Sequence, residues 1–205
     1  MNNTVFKNIW SKTKKYLYWF YKSYIWIFIL LFLFDIITKH VFLSIYGGWD
    51  NVLNNFYPKD ITFIPGFISF TLTLNPGAGF GMLGNVDNEV LRRTLLIGIS
   101  VIMTGVFVLY YSLRFKKLNG VYKGILMALT AGAFGNLIDR AFYPNGYVID
   151  FIKFDFMDFP VFNIADSVLV ISIIVLIIYM IYDTIKNSKK DPEVKDENDD
   201  LNKNI

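Results

Sequence analysis

The chain has no cysteine and a single histidine, His40, in 205 residues. Without thiols, disulfides, thiolate nucleophiles and thiolate metal sites are excluded. One imidazole argues equally against a protein-borne zinc centre, and no metal or organic cofactor is expected. Charge is also sparse. Charged residues make up 18% of the chain and hydrophobic ones 54%, whereas about a quarter charged is usual in a soluble domain. The basic residues lie at the edges of apolar runs rather than in one patch, so nucleic acid is not an expected partner.

Four of those runs reach the roughly twenty residues needed to cross about 30 Å of hydrocarbon: Tyr24–Ile45, Leu91–Leu113, Gly124–Phe142 and Val161–Tyr182. The first is too long for a signal-peptide core and no small-x-small cleavage site follows it. Lysine and arginine bias sets the orientation. The segments before the first span, between the second and third, and after the fourth carry fourteen of the twenty basic residues, which puts both termini in the cytoplasm. Arg92 and Arg93, at the outer start of the second span, run against that rule. The chain therefore divides into an interfacial segment, residues 1–23, a four-helix membrane domain, 24–183, and a polar, acid-rich cytoplasmic tail, 184–205, expected to be disordered.

The external segment between the first two spans, about 46–90, contains the alternating run Phe67–Leu74, which reads as a strand entering a turn at Asn75-Pro76-Gly77. A small β-sheet on the outer surface is expected there. Gly79 to Gly84 formally matches G-x-G-x-x-G, but lacks the βαβ setting and the following acid of a dinucleotide site.

Asp150 and Asp166 stand sixteen residues apart beside the fourth span, and this topology brings both to the outer side. Carboxylates at a bilayer boundary are costly and point to function. Two that face each other can share a proton and divide into acid and base. Asp35 and Lys39, four residues apart near the outer end of the first span, share one helical face and read as a structural ion pair. Asn163 is placed to cap the fourth span, with Asp166 three residues inside it.

Five motifs in order, Asp35-Ile36-Ile37-Thr38-Lys39, Asn75–Phe80, Gly135–Arg140, Val148–Phe151 and Phe162–Asp166, resemble lipoprotein signal peptidase, the signal peptidase II family of bacterial intramembrane aspartic peptidases. The resemblance covers about residues 24–182. It implies a membrane endopeptidase that cleaves diacylglyceryl-modified prolipoproteins on the N-terminal side of the lipidated cysteine. By motif, Asp150 and Asp166 take the catalytic positions, while Asp35, Lys39, Asn75, Asn136, Asp139, Arg140 and Asn163 support the site or position substrate. It also implies membrane lipid as surroundings and cyclic-peptide inhibitors of the globomycin type as ligands. Gly79 and Ala131 depart from the family pattern, and the external segment and the Asp139–Asp150 connection look extended.

Several supporting residues keep two readings. Arg140 suits a lipid phosphate or a substrate carbonyl, or pairs with Asp139 or Asp150; Asn75 suits extended substrate backbone, or simply forms a turn. His40 reads as interfacial packing. As a whole, the alternative is a small proton-coupled membrane transporter, which would want ionisable groups through the full membrane depth. The inner halves of these spans are almost wholly apolar.

Overall fold

The computed structural model describes residues 3–54, 59–77 and 86–188. In chain order it comprises α1 (Asn3–Ser23), α2 (Ile25–Ile45), α3 (Gly48–Asn54), β1 (Ile61–Ile64), β2 (Ile68–Asn75), α4 (Glu89–Arg114), α5 (Gly120–Phe142), a 3-10 turn at Pro144–Gly146, β3 (Val148–Phe154) and α6 (Ile164–Ser188). Helices α2, α4, α5 and α6 are each long and apolar enough to cross a membrane, as the sequence suggested.

Helix α5 is the centre of the bundle. In its spanning stretch 56% of residues are buried, against 11% in α2 and α6, because its small residues let neighbours approach closely. A Cβ on Gly132 would lie 2.7 Å from the Ala165 carbonyl of α6, and one on Gly135 would lie 2.6 Å from Oδ2 of Asp35 on α2. Either methyl would push apart the helices that carry the polar groups described below.

Between α1 and α2 the helix is interrupted at Tyr24, whose φ of 61° and ψ of 9° are left-handed. That conformation costs a non-glycine residue roughly 1–2 kcal/mol, so the joint must be held from outside. The Tyr111 hydroxyl of α4 donates to the Ser23 carbonyl at 2.5 Å, and Gly120 leaves room for the Tyr24 phenol, whose hydroxyl would collide with any Cβ there.

The sheet is antiparallel in the order β1-β2-β3. Only β1 and β2 come from the segment between the first two spans. The third strand is drawn from the connection between α5 and α6, and its register sets Asp150 opposite Thr73 and Val148 opposite Asn75. Val148 to Phe151 are all buried, so this strand lacks the polar alternation that reveals a half-exposed one. Leu72, Ile149 and Phe151 form a core with Leu43 and Val52, which roots the sheet on the C-terminal end of α2. Full burial of each such side chain contributes about 1.5–3 kcal/mol.

The last span begins at Ile164 rather than Val161, since Phe162 is bridged to Ile152 of β3 and Asn163 caps the helix. It also runs on to Ser188, so residues 184–188 of the expected disordered tail are helical; Lys186 in the last turn suits the negative helix end. The acidic part of the tail and the Gly79–Gly84 run lie outside the described residues.

Candidate active site

Strand β3 and the first turn of α6 deliver the two aspartates to one cavity of about 390 Å³, which Asp150, Asp166, Asn75, Asn136 and Arg140 line at its polar end. Its remaining wall is apolar, with Phe154, Phe159 and Val161 on one side and Leu169, Val170 and Ile171 running down α6. Val170 and Ile171 are more than half exposed, so the cavity opens sideways toward what would be lipid.

Asparagine amides tie the two carboxyl groups together. Asn163 Nδ2 donates to Asp150 Oδ1 at 2.7 Å, and Asn75 Nδ2 donates to Asp150 Oδ2 at 2.9 Å. Asn136 Nδ2 donates to Asp166 Oδ1 at 2.7 Å. The Asn163 side chain also accepts from the Asp166 backbone N–H at 2.9 Å, while the Asn163 N–H donates to Asp166 Oδ2 at 3.3 Å. This is a reciprocal cap on α6. The helix N-terminus thus faces Asp166 and favours negative charge there.

Asp150 is 1% exposed. Burial, and then the nearby Asp166, push its carboxyl up to about 8, against the opposing pull of Asn75, Lys39 and Asn163. Desolvation penalises the charged form and so favours the protonated carboxyl at Asp150.

Beneath the pair lies a charged cluster that fastens three helices. Lys39, fully buried, sits 2.7 Å from Asp35 Oδ2 and 2.8 Å from Asp139 Oδ2, and donates to Asn136 Oδ1 at 3.2 Å. Asp35 Oδ1 accepts the Ala165 N–H of α6 at 2.9 Å. The expected Asp35–Lys39 pair is therefore part of a triad with Asp139, and Lys39 also fixes which way the Asn136 amide points. Its oxygen faces Lys39 and Asn163, leaving its nitrogen for Asp166.

Arg140 pairs with neither Asp139 nor Asp150. Its guanidinium donates to Ser100 Oγ and to the carbonyls of Asn136 and Gly77, and its Nε has no hydrogen-bond partner among the described residues. Asn75 is also occupied. Beyond its bond to Asp150, its Oδ1 accepts the Gly77 N–H at 2.9 Å, so it forms the turn and orients Asp150 rather than standing free for substrate backbone. His40 lies away from this cluster, against Tyr143 at 3.2 Å.

One contributor lies outside the motifs that the sequence singles out. Arg93 Nε donates to the Arg140 carbonyl at 3.0 Å and Nη2 to the Ala141 carbonyl at 2.8 Å. It caps the C-terminal carbonyls of α5, groups that have no partner within the helix. A Cβ on Gly146 would meet Arg93 at 2.9 Å, so the turn that launches β3 fits over the same side chain. A signal for it does exist: an arginine at the end of a span where the charge bias expects few cations asks for a specific partner.

A family model described as signal peptidase (SPase) II matches residues 27–182. A lipoprotein signal peptidase of Staphylococcus aureus is 33% identical over 184 residues, covering 89% of this chain and 99% of that one. One from Enterococcus faecalis is 37% identical over 59% of this chain and 70% of its own length. A solved bacterial membrane enzyme, determined by the in meso method at 2.3 Å resolution, superposes with a TM-score of 0.64 at 32% identity, over 84% of this chain and 94% of that one. The matched segment takes in most or all of each span and every polar group of the cavity, and the chain belongs to the signal peptidase II family of membrane proteases.

Proposed function

We propose that the chain removes signal peptides from diacylglyceryl-modified prolipoproteins by aspartic acid–base hydrolysis, with Asp150 and Asp166 as the catalytic pair. One observation carries this reading: two carboxyls from different elements, joined through Asn163, share the polar end of a cavity whose apolar wall opens sideways. A proton-coupled transporter finds no support in this arrangement, because the buried charges gather at one end of the bundle.

Asp166, as the anion, draws a proton from water, and the water oxygen attacks the scissile carbonyl carbon. Asp150 gives its proton to the carbonyl oxygen, forming a neutral gem-diol. On collapse, Asp150 takes a proton back from a diol hydroxyl and Asp166 delivers its proton to the leaving nitrogen as the C–N bond breaks. The pair ends as it began, and no covalent intermediate forms. Arg140, which lines the cavity beside the two carboxyls, supplies a fixed positive charge there for the oxygen on which negative charge develops. The lysine-centred triad acts through Asn136 and keeps an amide donor aimed at Asp166.

The lipid would lie along Leu169, Val170 and Ile171, with its acyl chains still in the membrane. A chain already in lipid gains little from burial, so the diacylglyceryl group serves to set depth and register of the peptide bond. The same cavity is the candidate site for cyclic-peptide inhibitors of the globomycin type. Lysine and arginine bias supports cytoplasmic termini and a site at the outer face.

Purified protein should cleave a lipidated precursor far faster than the unlipidated one at equal membrane concentration, in turnover as well as in apparent affinity. Asp150→Asn and Asp166→Asn should each abolish the reaction. Near-native turnover by either variant would remove that residue from the chemistry; equal rates on both precursors would leave a general membrane peptidase.

A further inference from the structure

Helix α1 precedes the segment that the family model matches, and nothing in the reaction uses it. Its sequence is polarised in charge: five lysines and no aspartate or glutamate within Asn3–Ser23. At 100° per residue, Trp10, Thr13, Tyr16, Leu17 and Phe20 fall in one stripe about 120° wide. Lys7, Lys12, Lys14, Lys15 and Lys22 all fall on the remaining face. Trp10, Tyr16, Leu17 and Phe20 are exposed, so the apolar stripe is not spent on the bundle.

The joint to the first span is fixed. Ser23 is fully buried, held by Tyr111, and the Tyr24 ring is seated over Gly120 at the start of α5. That seat lies beside the basic connection between α4 and α5, where Lys123 stands 4.0 Å over the Phe115 ring. The helix therefore leaves the bundle at the same end as Arg114, Lys116, Lys117 and Lys123. The α1 joint and that connection thus bring two basic segments to the same end of the bundle.

We propose that α1 is an in-plane docking helix for anionic phospholipid headgroups, its aromatic stripe sunk at the acyl boundary and its lysines on the headgroups. In the cell this is the inner leaflet, a placement that rests on the orientation given above. An apolar stripe flanked by cations, with Tyr18, Trp19 and Tyr21 exposed among the lysines nearest the joint, is a composition that binds such surfaces, where aromatic rings sit at headgroup level. A membrane also supplies what a second protein would not: an apolar boundary already present at the joint.

Because the chain has no cysteine, single-cysteine spin labels report one position each. Labels at Leu17→Cys, Phe20→Cys and Ser11→Cys are compared in the full-length protein in nanodiscs, which expose both membrane faces and so make the test independent of orientation in the cell. In phosphatidylglycerol-containing discs, positions 17 and 20 should favour oxygen over a water-soluble nickel relaxant several-fold more than position 11. In pure phosphatidylcholine discs, or with Lys7, Lys12, Lys14 and Lys15 changed to glutamine, that contrast should shrink. Equal contrast in both discs would overturn the anionic-lipid assignment. Uniform accessibility at all three positions would overturn docking altogether. Labels immobilised in every lipid would indicate a protein contact, such as a second copy, and overturn it too. Reporter tags that placed the N-terminus outside, with these contrasts intact, would instead change only the leaflet.

Discussion

Replacing Asp150 by asparagine should remove activity and yet make the protein more stable at neutral pH. The carboxyl lies near 3.8 in the unfolded chain and is pushed up to about 8 in the fold. The folded state therefore binds the proton more tightly, so the stability of the natural protein is fully present below the lower value and is lost as pH rises toward the upper one. The loss runs at about 1.4 kcal/mol per pH unit, hence roughly 3 kcal/mol between pH 5 and pH 7. Asparagine escapes it. It loses something else: both Asp150 oxygens accept amide donors, from Asn163 and Asn75, and the new nitrogen can accept neither. That mismatch costs about 1–3 kcal/mol independently of pH. The two stability curves should cross at about pH 4.5–6, with the variant ahead above the crossing. Unfolding of both proteins by SDS titration in mild detergent, at pH 5, 6 and 7, measures the difference while groups common to both cancel. A difference that stays flat with pH, or that runs the other way, would mean Asp150 is ionised in the fold. It could then not serve as the acid, and the high-pH limb of cleavage would not fall near 8.

Lys39→Met should destabilise the protein by about 3–5 kcal/mol, because it leaves Asp35 and Asp139 buried without their cation; a melting temperature within a degree or two of the natural protein would refute the triad's structural role. Arg93→Gln should lower stability by about 1.5–3 kcal/mol through the uncapped α5 carbonyls. It should also lower kcat more than it raises KM, with part of the loss restored by Arg93→Lys; unchanged kcat would separate Arg93 from the site. Reporter tags at the N-terminus and near Asn119 should report cytoplasm, and tags near Asn54 and Asn145 the exterior; an external Asn119 tag would sink the orientation.

Much of this protein is legible in its amino-acid sequence. Four spans follow from run length and hydropathy, since a bilayer imposes on helices a demand that composition alone reveals. The Asp35–Lys39 pair and the cap at Asn163 follow from local spacing, because contacts within one helix turn are written in i, i+3 and i, i+4. What the sequence could not determine are the contacts that join distant segments. Val148–Phe154 is a short buried apolar run, and only pairing with Ile68–Asn75 makes it a strand that presents Asp150 to Asn75. Nor does spacing say that Lys39 reaches Asp139, that Asn136 divides its amide between Lys39 and Asp166, or that Arg93 closes the end of α5. Burial decided those. A charge or amide taken out of water must find a partner, and which partner is nearest depends on how the helices pack around Gly132 and Gly135 rather than on any local pattern.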